Sequence, residues 1–197
     1  MRFISTAAIA ALITAIPLLS SAQVTNPPGD SNGPQATGEM QTLIKAFSGH
    51  WSLKLKLEPS KSMPRGLDGT GDANWHAAPE GLTFTDEEVL TAGSHTTVVV
   101  GILWRDMKSK EFHAMDCSNE MSHTCDVKGA SDDVVVHWTG DRLTIDEKEL
   151  SDGKMMTSRV EWSDITANSF IETGYLAPPG GPFQKVMTIR ATRATDR

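Results

Sequence analysis

Apolar and polar side chains alternate along residues 51–57, which begin with Trp51 and end with Leu57. A period of two predicts a β-strand with one buried face and one solvated face. Alternating or β-branched segments recur after it, separated by turn residues such as the Ser-Asp-Gly at 151–153. They cover residues 72–76, 82–85, 95–104, 112–115, 134–138, 143–145, 160–162, 170–171 and 183–191. This spacing predicts an all-β antiparallel barrel or sandwich of about ten strands.

A short helix is predicted before the first strand. Thr37 can cap its N-terminus, and the apolar residues that follow share one helical face. These residues are Met40, Leu43, Ile44 and Phe47. In a barrel this helix would close one end, with Trp51 pointing inward against its apolar face. We expect Gly49 to be needed where the chain turns from helix to strand, because a side chain there would crowd the close approach. Gly49 and Trp51 are therefore predicted to form a barrel-closing motif.

The N-terminal residues 1–22 have the three parts of an export signal peptide. Arg2 provides positive charge, residues 4–19 are mostly apolar, and small residues precede Gln23, where we expect cleavage. The apolar stretch is shorter than the ~20 residues that a membrane span needs. We therefore expect a periplasmic or secreted protein that is not held in a membrane after cleavage.

Composition and charge divide the remaining chain and limit its partners. Residues 23–38 are rich in proline, glycine and small polar residues, which predicts a disordered linker. We expect one barrel domain over residues 39–192 and a C-terminal tail over 193–197. The chain has 25 acidic and 18 basic residues and a net charge of −7. This balance argues against nucleic acid and anionic membrane surfaces as partners, and it leaves the oligomeric state open.

The two cysteines, Cys117 and Cys125, flank a polar stretch that predicts the tip of a hairpin. In an exported chain this arrangement predicts a disulfide, because facing positions on paired strands lie within reach of one. A metal site that adds His113 and His123 is the alternative. Its spacing matches no standard zinc pattern, so we expect no metal.

Three motifs in a fixed order resemble a known family. They are Phe-Ser-Gly-His-Trp at 47–51, Gly-Leu-Asp-Gly at 66–69, and Gly-Ile-Leu-Trp-Arg-Asp at 101–106, followed by Lys110 and Phe112. Over most of residues 40–192 the chain is similar to the exported bacterial domain-of-unknown-function family 1579 (DUF1579), a calycin or lipocalin-like group. The resemblance implies an antiparallel up-and-down calycin-like β-barrel with a short N-terminal helix. The family brings no established reaction, so no functional residues are carried over. More distantly, the Gly-x-Trp at 49–51 resembles the haem-binding nitrobindins, although no motif here secures their proximal histidine.

A barrel of this size can hold one small ligand. Large aromatic and methionine side chains are the candidates for lining its interior, and packing in a filled core is the alternative for each. The candidates for the ligand pocket are Trp75, Trp104, Met115, Trp138 and Trp162.

The sequence shows no catalytic constellation. Acidic residues at Asp86, 87–88 and 132–133 are near neighbours, so alternate carboxylates are expected to point to opposite faces. Hydrolase, metalloprotease and phosphate-binding motifs are absent. Among six histidines, His113 and His137 are the candidates for an inward position because each lies within an apolar strand, but we expect each on the solvent face, and His113 faces out if Phe112 and Ala114 face the lumen. We therefore predict a protein that binds a small hydrophobic molecule, with haem as a sub-case and no other cofactor. A filled structural or interaction barrel and a small extracytoplasmic enzyme are the alternatives.

Overall fold

A computed structural model describes residues 36–61, 63–119, 125–126, 134–151 and 154–195. Four predictions lie outside these residues: the export signal, most of the linker, the position of His123 and the acidic pair at 132–133. The turn residues 152–153 are also outside, although the flanking strands pair as far as Ser151 opposite Lys154. Within the described ranges, no helix has the length and apolar character needed to cross a membrane.

One helix and eleven strands follow one another along the described chain. The helix α1 spans Gly38–Phe47 and is followed by β1 (Gly49–Leu57), β2 (Leu67–Ala77), β3 (Thr83–Ala92), β4 (His95–Arg105), β5 (Phe112–Ser118), β6 (Cys125–Asp126), β7 (Val134–Trp138), β8 (Leu143–Ser151), β9 (Lys154–Ser163), β10 (Ser169–Ala177) and β11 (Gln184–Arg193). A single 3-10 turn at Pro79–Gly81 connects β2 to β3.

Ten of the strands close into an antiparallel barrel. Their order around the ring is β4-β3-β2-β1-β11-β10-β9-β8-β7-β5, and β5 returns to pair with β4. The shortest strand pairing in the ring is between β5 and β7, which are joined at a single residue pair, Phe112 opposite Val136. The two-residue β6 pairs with β5 outside the ring. The prediction of an all-β antiparallel barrel of about ten strands with a short N-terminal helix is confirmed.

The helix closes one end of the barrel. The Thr37 hydroxyl accepts a hydrogen bond of 3.3 Å from the Met40 N–H and so caps the helix N-terminus. Met40, Leu43 and Phe47 are buried on the inner face of the helix. The Phe47 ring stacks on Trp75 of β2, with the ring centroids 4.9 Å apart. Aromatic side chains therefore fill the closed end.

Trp51 and Gly49 meet a single arginine at this closed end. The Trp51 indole N–H donates a hydrogen bond of 2.7 Å to the Phe47 carbonyl, and the Arg193 guanidinium lies 4.2 Å above the Trp51 ring. Arg193 also donates a hydrogen bond of 2.5 Å to the Ser48 carbonyl. Gly49 has φ +128°, and a Cβ there would collide with the Arg193 guanidinium. A side chain at position 49 would therefore be strained by the backbone conformation and would displace the Arg193 guanidinium from its contacts.

The two cysteines lie at paired backbone positions. β5 and β6 run antiparallel with Cys117 opposite Cys125. Residues opposite each other across paired strands lie within the separation that a disulfide spans. The disulfide itself stays a prediction.

Candidate ligand cavity

Two glycines take inward positions on β2, next to the interior of the barrel. Gly69 and Gly71 lie opposite Leu55 and Leu53, which point to the interior, so they occupy inward positions without a side chain. The interior above the aromatic end holds a cavity of about 480 Å³. This volume is within the range of small-molecule sites, roughly 300–1,000 Å³.

The barrel itself forms the cavity walls, because every one of the ten ring strands contributes at least one lining residue. Most of these residues are apolar, among them Leu55, Leu90, Ile145, Val160, Met187 and Ile189. Leu67 lines the cavity at the end away from the helix and is also 36 % exposed. The cavity therefore opens at this second end, which we call the mouth.

Three acidic side chains project into this apolar space. Asp86 and Glu88 are on β3, and Glu172 is on β10, which lies across the barrel with β2, β1 and β11 between them. Glu88 is 7 % exposed and Glu172 is 6 % exposed, while Asp86 keeps more accessible surface. We call these three residues the acidic cluster.

Burial keeps the acidic cluster partly protonated at neutral pH. Burial first, and then the neighbouring Asp116, raise the pKa of Asp86 to about 7. Burial and the Asp86 carboxyl raise the pKa of Glu172 to about 8. The pKa of Glu88 lies well above its usual range, because of burial and then because of Glu172 and Asp86. The three carboxyls influence one another, so their charges meet in one space.

Two tryptophans stand beside the acidic cluster. Trp75 lies opposite Asp86 on paired strands, and Trp162 lies opposite Glu172. Within the described part of the chain, the indole Nε1 atoms of both are buried and have no hydrogen-bond partner of good geometry. The Trp75 indole is nevertheless near enough to Glu88, and Trp162 to Glu172, to lower the pKa of each carboxyl against the larger effect of burial.

A glycine makes room for one of the acids. Gly101 of β4 lies opposite Asp86, and Asp116 of β5 lies opposite Gly101. A Cβ at Gly101 would collide with the Asp86 carboxyl and would stand 2.8 Å from its Cγ. The carboxyl therefore packs directly on the backbone of β4.

The lining has a strong excess of acidic groups. Asp116 and Glu147 line the cavity together with the acidic cluster. Among the described residues, no lysine or arginine lines it, and its one basic side chain is His95, opposite Ala92 on paired strands near the mouth.

The five predicted pocket residues lie in different places. Trp75 and Trp162 line the cavity. Met115 borders it, but the alternation that turns Ala114 inward puts the Met115 side chain on the opposite face. Trp138 packs against Phe47 at the closed end, with the ring centroids 6.1 Å apart.

Trp104, His113 and His137 lie on the outer face of the barrel. The Trp104 ring stacks on His113 at 5.4 Å, and the two residues are paired on β4 and β5. His137 is exposed on β7. Both histidines therefore have the solvent-facing placement expected for polar residues of half-buried strands, because each strand turns the neighbouring residue inward. An acid-rich cavity without these two histidines does not fit haem, whose propionates are anionic.

The acidic cluster is the part of the site that the sequence analysis missed. The prediction that neighbouring acids point to opposite faces separates Glu87, which is exposed, from Asp86 and Glu88. It overlooked that Asp86 and Glu88 are two residues apart and share the inner face with Phe84 and Leu90. The alternation Phe-x-Asp-x-Glu-x-Leu at 84–90 was the signal that could have revealed them.

No family model matches the chain, and no curated protein matches it. Among solved structures, the S-type phycobiliprotein lyase CPES from Guillardia theta is similar at 6 % identity and a TM-score of 0.49, over 80 % of this chain and 93 % of that chain. Rv2717c from M. tuberculosis is similar at 11 % identity and a TM-score of 0.45, over 82 % of this chain and 100 % of that chain. EF1p2_mFAP2b, solved bound to DFHBI, is similar at 13 % identity and a TM-score of 0.42, over 79 % of this chain and 99 % of that chain. These similarities are distant, and the closed strand register establishes the barrel by itself.

Proposed function

We propose that this protein binds one small, largely hydrophobic molecule inside its barrel. The observation that supports this function is the cavity of about 480 Å³, walled by all ten ring strands and open at the mouth. Apolar walls favour a ligand that removes apolar surface from water on binding.

The inner face of the barrel argues against a filled structural core. A filled barrel uses inward side chains to occupy its interior. Here the three acids of the cluster occupy inward positions where a filled core would place apolar residues, and a cavity of about 480 Å³ remains beside them. Burying carboxyls is costly, so their presence next to open volume favours a site over simple packing.

Binding of a neutral fluorescent dye tests this function. We expect N-phenyl-1-naphthylamine to bind saturably, with one molecule per chain. Ala92 lines the cavity near the mouth, so Ala92→Trp should obstruct entry and weaken binding about tenfold or more, which corresponds to ~1.4 kcal/mol. Val89 is 47 % exposed on the outer face of the same strand, and Val89→Trp should leave the affinity unchanged. Absence of saturable binding, or equal effects of the two variants, would contradict the function.

Export, family and disulfide are parts of the same proposal. The signal at 1–22 and the order of motifs between 47 and 112 support an exported, DUF1579-like calycin of the periplasm or the extracellular space. The paired positions of Cys117 and Cys125 support the disulfide. Intact mass spectrometry of protein recovered from the exported fraction should show a chain that begins at Gln23 and has no thiol accessible to alkylation. A chain that retains Met1, or one that takes up two alkyl groups, would refute the corresponding part.

A further inference from the structure

We propose that the ligand carries a protonated aliphatic amine, which lies innermost among Asp86, Glu88 and Glu172 and against Trp75 and Trp162. The inference rests on the proposed function, because it assumes that the cavity is a ligand site, and it adds the chemical class of the ligand and its orientation.

The first argument is the unbalanced charge of the acidic cluster. Every neighbouring side chain that raises the pKa of these three carboxyls is itself an acid. No lysine or arginine lines the described cavity wall. A buried carboxylate is stable only when a cation or several hydrogen bonds compensate it. An ammonium group supplies that cation and up to three N–H donors, and the cluster offers one carboxyl from β10 and two from β3.

The second argument comes from the tryptophans. Trp75 and Trp162 are 4 % and 8 % exposed, and their ring centroids are 6.2 Å apart in an edge-on arrangement. Aromatic faces attract cations, most strongly where both are removed from water. The buried indole N–H groups make no hydrogen bond of good geometry, although Trp75 lies near enough to Glu88, and Trp162 to Glu172, to lower the pKa of each carboxyl. Ionised Glu88 and Glu172, held by the ammonium, become strong acceptors for these two N–H donors. A bound cation would therefore strengthen the interaction of both buried indole donors with the acidic cluster.

The third argument is the apolar wall that leads from the acidic cluster to the mouth. Trp75, beside the acidic cluster, stacks on Phe47 of the helix that closes the barrel. Toward the mouth, β1, β2 and β11 form an apolar wall in which Leu57 lies opposite Leu67 and Met187, while polar residues line the facing strands (Thr97, His95, Glu147 and Ser158). An amphiphile with its amine innermost places its hydrocarbon against this apolar wall. A fatty acid in the same orientation would bring its carboxylate to the acidic cluster and is disfavoured by repulsion.

Three ligands of equal chain length test whether the cavity prefers a protonated amine. Decylamine, decanol and decanoate are each used below their aggregation concentrations to displace N-phenyl-1-naphthylamine at neutral pH. We expect decylamine to bind at least about tenfold more tightly than decanol and decanoate to bind most weakly. Because the acidic cluster is partly protonated before binding, decylamine should also release protons. Calorimetry in two buffers of different ionisation enthalpy measures that release, and decanol should show none.

Matched variants identify the residues responsible. Glu172→Gln and Glu88→Gln keep the shape of the side chains and remove their charge, so each should weaken decylamine about tenfold and leave decanol unchanged. Glu87→Gln, at an exposed position of the same strand, should change neither. Equal affinity for decanol and decylamine would contradict the proposal that the ligand carries an amine, but it would leave the proposed function standing. Failure of all three ligands and of the dye would overturn both. Loss of decylamine binding in Glu87→Gln to the same extent would place the amine on the surface and refute the internal site.

Discussion

Replacing Trp51 by alanine should lower the free energy of unfolding by about 3–5 kcal/mol. Trp51 is 1 % exposed, its ring meets Phe170 edge-on at 4.8 Å, and its indole N–H bonds the Phe47 carbonyl. The substitution would leave a large cavity beside the helix and an acceptor without its donor. It would also remove the ring under Arg193. Such a loss is a large share of the ~5–15 kcal/mol that stabilises a typical domain. Urea unfolding of the variant and the parent measures it.

Two control variants show whether the loss of stability is specific to Trp51. One removes a different tryptophan, and the other changes the residue next to Trp51. Trp104→Ala removes an indole of the same size from the outer face and should cost less, because that ring is only partly buried against His113. His50→Ala changes the exposed residue between Gly49 and Trp51 and should have little effect. If Trp51→Ala unfolds at the urea concentration of the parent, Trp51 does not close the barrel.

The closed end is the part of the fold that could be predicted best from the sequence. Thr37, the apolar face of the helix and the alternation after Trp51 are all local patterns, so the helix and the first strand could be placed without any other element. The partner that makes Gly49 necessary could not be found in this way. Arg193 is at the end of the last strand, and only the pairing of β1 with β11 brings it against position 49.

The lining of the cavity was harder to predict from the sequence, for a related reason. Strand alternation gives two faces but does not state which face is inside, and large aromatics were taken as inward by default. Trp104 shows the error, since Leu103 takes the inward position next to it. The alternation of neighbouring acids was used only to argue against converging carboxylates, so the shared face of Asp86 and Glu88 was overlooked. Glu172 belongs to the same cluster only through closure of the ring, which joins strands far apart in sequence.

The free energy of unfolding should fall as the pH rises from about 4 to about 8. The unfolded chain releases protons from aspartate and glutamate near pH 4, whereas folding raises the pKa of Asp86 to about 7 and that of Glu172 to about 8. Between these limits the folded state binds more protons than the unfolded state, so stability decreases with pH, by at most about 1.4 kcal/mol per pH unit for each group. Urea unfolding of the oxidised protein at about pH 5, 7 and 9 measures the slope.

Amide variants assign this slope to the cavity. Glu172→Gln cannot ionise, so it should flatten the decline and be more stable than the parent at about pH 9. Glu87→Gln, exposed on the same barrel, should retain the slope of the parent. Asp116, Glu147 and His95 also line the cavity and are present in both proteins, so the difference between parent and variant isolates position 172. A parent stability that is constant or rises up to about pH 9, with Glu172→Gln unchanged, would contradict buried carboxyls. Saturating decylamine should reduce the loss at about pH 9 in the parent, because the ionised carboxyls then face a cation, and should reduce it less in Glu172→Gln.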